Sequence, residues 1–232
     1  MKNRTKKTES GRRLGWLAAA TLYILILAAD FGGAPLPADG CKLALVVLCA
    51  LLARGQTRWG AAFTVVCDFL LLFTPYFTAG VCIFCVVQLV YLRDFLEKRA
   101  GGAPTKKQSL GALWPGLLFV GILILAPADR LLLAVAGAYG ALLLQNAVLG
   151  VRVACQSRRR MDVLRAVGFW LFVGCDICVA LYNTAWPVWS VGRWMWLFYG
   201  PSQMLLALSS GSKTVPGPVP GRFRRPRAKK RG

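Results

Sequence analysis

The sequence predicts an all-α membrane protein, a polytopic bundle of eight transmembrane helices with both termini in the cytoplasm. Hydrophobic residues make up 56% of the 232 residues and charged residues only 16%, whereas soluble domains carry about 25% charged residues. The apolar residues also fall in long runs that suit spans of about 20 residues each, separated by short charged stretches.

Eight apolar runs define the predicted spans in chain order. They lie at 14–31, 37–53, 59–77, 79–96, 110–126, 130–151, 163–182 and 191–209. Residues 32–40 read as a Gly/Pro loop, and the polar linker 97–109 lies near the midpoint of the chain. A basic N-terminus, 1–13, precedes the membrane domain, 14–210. The tail, 211–232, is rich in Pro, Gly and basic residues and is predicted to be disordered.

The distribution of basic residues predicts the orientation of the bundle. Of the 29 Lys and Arg residues, 26 lie in the two ends, in the even-numbered connections between spans, or within four residues of those connections. This asymmetry follows the positive-inside rule, so the net charge of +20 reflects topology, and no nucleic-acid partner is expected. We expect the basic loops and tail to contact anionic lipid headgroups. The short loops favour a multi-pass protein of the bacterial inner (plasma) membrane.

Histidine is absent, which excludes His-containing triads, zinc sites with His ligands and haem ligation by His. Nearly all eight cysteines lie in apolar runs, where Cys82 with Cys85 and Cys175 with Cys178 form C-x-x-C pairs. A free buried cysteine behaves as a small apolar residue. Packing is therefore favoured over a metal or redox pair, and neither metal nor cofactor is predicted.

Three ionisable residues, Lys42, Asp68 and Asp176, lie inside apolar runs. Each costs about 2.5–3.5 kcal/mol at the bilayer centre on insertion scales. Asp68 follows Trp59 by 9 residues and Asp176 follows Arg165 by 11. At about 1.5 Å per helical residue, both carboxyls reach the middle of the membrane, so we expect them at one level.

The surroundings of the two aspartates repeat. Each follows a cysteine directly and a glycine by eight residues, as Gly60, Cys67 and Asp68 in one span and Gly168, Cys175 and Asp176 in another. This pattern raises the alternative of two four-helix halves related by an axis along the membrane normal. Matches this short also arise by chance, so both interpretations stay open.

Further polar residues lie at overlapping depths in the fourth and eighth spans. They are Gln88, Tyr91, Tyr199 and Gln203. With the lysine and the two aspartates they form a candidate cavity lining, although interhelical hydrogen bonding explains each of them taken alone. A purely structural role is less expected for intramembrane carboxylates. Gln145 and Asn146 are predicted to bond to neighbouring helices.

In order and spacing these residues resemble the YhhN-like lysoplasmalogenases, a family of eight-helix membrane enzymes. The resemblance extends from Lys42 to Gln203. The matching positions are Lys42 early in the second span, Gly60 and Phe63 before Cys67–Asp68, Gly80, Phe84, Gln88 and Tyr91 for a G-x-x-x-F-x-x-x-H-x-x-Y pattern, Gly168, Phe172 and Cys175–Asp176 for G-x-x-x-F-x-x-S-D, and Tyr199 with Gln203 for Y-x-x-x-Q. The chain departs from the family at Gln88, which replaces a histidine, and at the cysteine before each aspartate.

The resemblance implies hydrolysis of the vinyl ether bond of lysoplasmalogens, giving a fatty aldehyde and glycerophospho-ethanolamine or -choline. Cleavage of a vinyl ether needs an acid that protonates carbon and an anion that stabilises the resulting cation. Asp68 and Asp176 would fill these two roles in either order. Lys42 would bind the phosphate of the lysophospholipid. The other substrate-binding residues would be Gln88, Tyr91, Tyr199 and Gln203.

Two other functions remain alternatives. A proton-coupled membrane transporter also uses intramembrane Asp and Lys with a repeat, although the chain has no Gly/Pro-broken helix pair in corresponding positions. A non-catalytic lipid-binding relative is the second alternative, because Gln88 cannot transfer a proton at neutral pH. The sequence predicts no particular oligomeric state.

Overall fold

The computed structural model describes residues 2–33, 35–100, 130–184 and 189–210, which form seven α-helices and no β-strand. In chain order the helices are α1 (Lys2–Gly32), α2 (Pro35–Leu52), α3 (Thr57–Phe73), α4 (Phe77–Ala100), α5 (Leu131–Ser157), α6 (Arg160–Thr184) and α7 (Trp189–Ser209). The predicted all-α class is confirmed for these ranges. The predicted fifth span, 110–126, and the tail, 211–232, lie outside the described residues.

Four of the described helices, α1, α4, α5 and α6, are long enough and apolar enough to cross a membrane. Large apolar side chains also cover the outside of the bundle. Leu133 is 74% exposed and Ile24 is 65% exposed. An exterior of this kind is suited to lipid rather than to water, as expected of a membrane protein.

The connection between α1 and α2 is shorter than the sequence predicts. The loop predicted at 32–40 is wrong, because α2 already begins at Pro35. Gly33 makes the turn with a φ of 76°, a conformation that glycine adopts without steric cost. Proline suits the first turn of a helix, where its missing N–H has no intrahelical partner.

Helix α3 ends four residues before the predicted end of its span, at Phe73. The hydroxyl of Thr74 donates to the Leu70 carbonyl at 2.7 Å and accepts from the Tyr76 N–H at 3.2 Å. Pro75 follows, and the residue before a proline is disfavoured in the helical region. These local bonds satisfy the end of α3 and start the turn into α4.

Helix α7 contacts α1, α2, α3 and α6, and the α3–α4 and α6–α7 pairs pack most extensively. Glycines permit close packing in both pairs. A Cβ at Gly60 would lie 3.0 Å from the Tyr91 ring, and one at Gly168 would lie 3.2 Å from the Leu206 side chain. In each pair, the glycine eight residues before the aspartate accommodates a side chain of the following helix. This shared feature agrees with two related halves, which remain a prediction.

A buried ion pair joins α4 to α6. Arg165 and Asp94 lie 2.5 Å apart between Nη1 and Oδ2, and the guanidinium also lies 4.1 Å from the centre of the Phe95 ring. Arg165 is only 2% exposed. The sequence analysis assigned Arg165 to the cytoplasmic basic residues. In the structure its guanidinium lies between two helices.

Candidate functional site

Asp68 lies on α3 and is buried. The hydroxyl of Tyr199, on α7, donates a 2.7 Å hydrogen bond to its Oδ2 atom. Both side chains are at most 6% exposed, so this bond is shielded from solvent. It connects α3 to α7 and gives one carboxyl of the predicted pair a hydrogen-bond donor.

Asp176 lies on α6, near enough to Asp68 for the two carboxyls to interact electrostatically. The structure therefore brings together two residues that are 108 positions apart in the chain. The Oδ2 atom of Asp176 is buried and accepts no hydrogen bond from the described residues. The two carboxyls thus share one region but differ in their hydrogen bonding.

Tyr139, on α5, is a polar residue close to Asp176. Its hydroxyl interacts with the Asp176 carboxyl, yet within the described part of the chain neither Tyr139 Oη nor Asp176 Oδ2 makes a hydrogen bond of good geometry. The sequence prediction missed Tyr139. A signal was present, since Tyr139 precedes Asn146 by seven residues and therefore lies on the same face of a helix.

Four aromatic rings pack together next to the two carboxyls. Phe172 packs edge-on against Phe84 and Tyr199, with ring centres 5.9 and 5.4 Å apart. Phe84 also packs against Tyr139 at 5.5 Å. These four rings come from α4, α5, α6 and α7 and are all buried. They form an apolar surround in which charges are poorly screened.

Gln88, on α4, pairs with α5. The Nδ2 atom of Asn146 donates to the Gln88 backbone carbonyl at 2.8 Å and to its Oε1 atom at 2.9 Å. Both residues are fully buried. The predicted helix-bridging role of Asn146 is confirmed. Gln88 therefore has a structural partner, although its Nε2 atom makes no hydrogen bond to the described residues.

Lys42 lies at one edge of the site. Its Nζ atom is 2.9 Å from Asp30 and 3.1 Å from Asp39, and it lies 5.4 Å from the centre of the Trp196 ring. Trp196 in turn packs against Tyr199 with ring centres 5.1 Å apart. Two aromatic contacts thus connect Lys42 to the hydrogen-bond partner of Asp68. The lysine is an ion-paired residue and not an isolated cation.

The remaining predicted residues, Tyr91 and Gln203, are buried. Tyr91 packs under Gly60 and edge-on to Phe169, with ring centres 5.3 Å apart. Those contacts place it in the helix packing between α3, α4 and α6. Gln203 lies one turn after Tyr199 on α7, and within the described ranges its Nε2 atom makes no hydrogen bond. Gln203 therefore keeps an available donor near the site.

The two cysteines beside the aspartates, Cys67 and Cys175, are both free and buried. Each lies close enough to Asp68 to interact with its carboxyl. Their place in the apolar core fits the predicted packing role.

The model of a protein family described as the YhhN family matches residues 37–210. No curated protein and no solved structure matches the chain significantly. The matched range includes both aspartates and Lys42, whereas α1 lies before it.

Proposed function

Since the chain belongs to the YhhN family, we propose that it is a membrane hydrolase that cleaves the vinyl ether bond of lysoplasmalogens. The products would be a fatty aldehyde and a glycerophospho-headgroup. The observation that supports this most strongly is that Asp68 and Asp176 lie close enough to interact and are both next to a cluster of buried aromatic rings. Placing a carboxylate inside the membrane costs free energy. A pair of intramembrane carboxyls therefore indicates a functional site.

The reaction needs one acid and one anion. A proton is added to the vinyl carbon remote from the ether oxygen, which leaves an oxocarbenium ion. Water attacks the oxygen-bearing carbon and gives its proton to the second carboxylate, forming a hemiacetal. The hemiacetal then returns a proton to the first carboxylate while its C–O bond breaks, and the second carboxyl protonates the leaving glycerol oxygen. Water is consumed and both carboxyls regain their starting states.

The hydrogen bonding of the two carboxyls supports a division of roles. Asp68 accepts the hydroxyl of Tyr199, and a donated hydrogen bond favours the ionised form. The buried Oδ2 atom of Asp176 has no donor of good geometry from the described residues, although the Tyr139 hydroxyl lies close to that carboxyl. We therefore assign Asp176 as the general acid and Asp68 as the anion that stabilises the cation and accepts the proton of water.

Tyr139 is suited to support Asp176 after the proton leaves. Its hydroxyl faces that carboxyl and is not used in another hydrogen bond to the described residues. Once Asp176 becomes an anion, a small movement lets Tyr139 donate to it. A bond that forms only as charge develops stabilises the transition state more than the bound substrate.

The experiment that tests the reaction compares three lipids with the same headgroup and chain length. Purified protein in detergent is incubated with a vinyl ether, a saturated ether or an ester lysolipid, and aldehyde and fatty acid are quantified. Aldehyde from the vinyl ether alone supports the proposal, because only that lipid forms an oxocarbenium ion by carbon protonation. Fatty acid from the ester, with no aldehyde from the vinyl ether, would contradict it.

A non-catalytic lipid-binding protein is the second candidate function. The observation that favours it is Gln88, which is committed to Asn146 and offers no proton at neutral pH. Binding of the vinyl ether lipid without any turnover would support this candidate over the hydrolase. A proton-coupled transporter would instead show Asp68-dependent uptake into vesicles driven by a pH gradient.

We also propose the finer topology that the basic residues predict. It comprises eight spans, both termini in the cytoplasm, and residence in a bacterial inner membrane, with anionic lipid at the basic loops. Labelling of single cysteines added at residues 5 and 220 of an otherwise cysteine-free variant tests the orientation. A membrane-impermeant reagent should reach them only after the membrane is opened.

A further inference from the structure

A cluster of three charged residues lies where α1 meets α2. Asp30 is near the end of α1, and Asp39 and Lys42 lie near the start of α2. The Lys42 ammonium lies between the two carboxylates, 2.9 Å from Asp30 Oδ1 and 3.1 Å from Asp39 Oδ1. Two carboxylates and one ammonium leave the cluster with a net charge of −1.

One oxygen of this cluster lacks a partner. The Asp30 side chain is only 9% exposed, and its Oδ2 atom is buried without a hydrogen bond to any described residue. A buried carboxylate oxygen without a donor is destabilising, and native structures rarely leave one without a reason. Both the net charge and the available oxygen therefore favour a cationic hydrogen-bond donor at this position.

The cluster is continuous with the proposed catalytic site. Lys42 lies over the Trp196 ring, Trp196 packs against Tyr199, and Tyr199 donates to Asp68. A lipid with its ether bond at the aspartates would therefore extend its polar end along these rings toward Lys42 and Asp30. The two signs of charge in the cluster match a zwitterion.

We propose that this cluster binds the lipid headgroup and that Asp30 selects ethanolamine over choline, an inference that rests on the proposed function. Lys42 pairs with the phosphate, and the primary ammonium donates to Asp30 Oδ2. A trimethylammonium group has the same charge but no N–H, so it leaves that oxygen unpaired. Sites built to bond an N–H discriminate strongly against analogues that lack it. Asp30 lies on α1, before the residues 37–210 that the family model matches. The proposed selectivity therefore depends on a residue outside the matched range.

Binding of saturated ether lysolipids tests the inference without any need for turnover. The purified full-length protein is titrated with 1-O-alkyl lysophospholipids that carry ethanolamine, choline or a bare phosphate monoester, and bound lipid is counted by native mass spectrometry. The wild type should bind the ethanolamine lipid about tenfold or more tightly than the choline lipid. Asp30→Asn should bring the two affinities within about twofold.

Two control variants separate the contributions. Lys42→Met should weaken the binding of all three lipids, since all of them carry a phosphate. Glu97→Gln removes a negative charge near the far end of α4, where Glu97 pairs with Arg93, and should keep the wild-type preference. Equal binding of ethanolamine and choline by the wild type, or a full preference retained in Asp30→Asn, would overturn the inference. An intact preference in a protein that releases no aldehyde would count only against the proposed hydrolysis.

Discussion

The hydroxyl of Tyr199 donates a 2.7 Å hydrogen bond to the carboxylate of Asp68. The bond joins α7 to α3 in the buried centre of the bundle. Asp176 has no corresponding bond to its buried oxygen from the described residues, although it lies close to Asp68. This difference, rather than the presence of two aspartates, is what suggests different roles for them.

Loss of the Tyr199 hydroxyl should slow turnover. A hydrogen bond to a charged group contributes about 1.5–3 kcal/mol, so Tyr199→Phe should lower kcat about 10- to 150-fold if the bond persists in the transition state. Aldehyde release measures the rate. Tyr23→Phe is a matched control, because it removes a 3.1 Å bond from α1 to the Leu197 carbonyl away from the carboxyls. Equal rates in both variants would contradict the role of Tyr199.

Tyr139→Phe should lower kcat and leave KM nearly unchanged. The proposed bond to Asp176 forms only after the proton has left that carboxyl. The variant therefore loses an interaction that is made in the transition state, and it keeps every interaction that is made with the bound substrate. Full steady-state kinetics on the vinyl ether lipid separate the two parameters. A raised KM with an unchanged kcat would instead make Tyr139 a substrate-binding residue.

The pairing of Gln88 with Asn146 should contribute to stability. Asn146→Ala removes two hydrogen bonds between α4 and α5, and interhelical bonds in membranes contribute about 0.6–1.7 kcal/mol. We expect a lower unfolding temperature in detergent, measured by circular dichroism. Gln88→Ala should be destabilised as well. Abolished turnover in a fully stable Gln88→Ala protein would give Gln88 a catalytic role that the structure does not suggest.

Close packing of α5 on α6 should make Gly150 intolerant of larger residues. A Cβ there would lie 3.3 Å from the Ala166 Cα atom, whereas a Cβ at Gly140, on the same helix, would contact nothing within 4 Å. Gly150→Leu should therefore unfold at a lower temperature than Gly140→Leu. Equal stability of the two variants would show that α5 and α6 separate more easily than their packing implies.

The sequence predicted the described helices well because the length of an apolar run is a local property. The boundary errors have local causes too. Gly33 and Pro35 shorten the first loop, and the hydroxyl of Thr74 ends α3 early. Each of these turns depends on one or two residues. A hydropathy average over about 20 residues does not detect the effect of so few residues.

The candidate site was only partly predictable. Helical depth placed Asp68 and Asp176 at one level, and the structure brings them near each other. Depth does not tell which face of a helix meets which neighbour, so Tyr139 and the pairing of Lys42 with Asp30 were missed. The interpretation of Tyr91 as a substrate contact stays a prediction, and its ring packs against Gly60.

The most direct test of the central claim is aldehyde release from a vinyl ether lysolipid by the wild type, Asp68→Asn and Asp176→Asn, with folding of each checked by circular dichroism. The account predicts release by the wild type and at least a 100-fold lower rate in each variant, since general acid–base groups contribute about 10²–10⁴-fold. Release at the wild-type rate by either folded variant would contradict paired-aspartate catalysis.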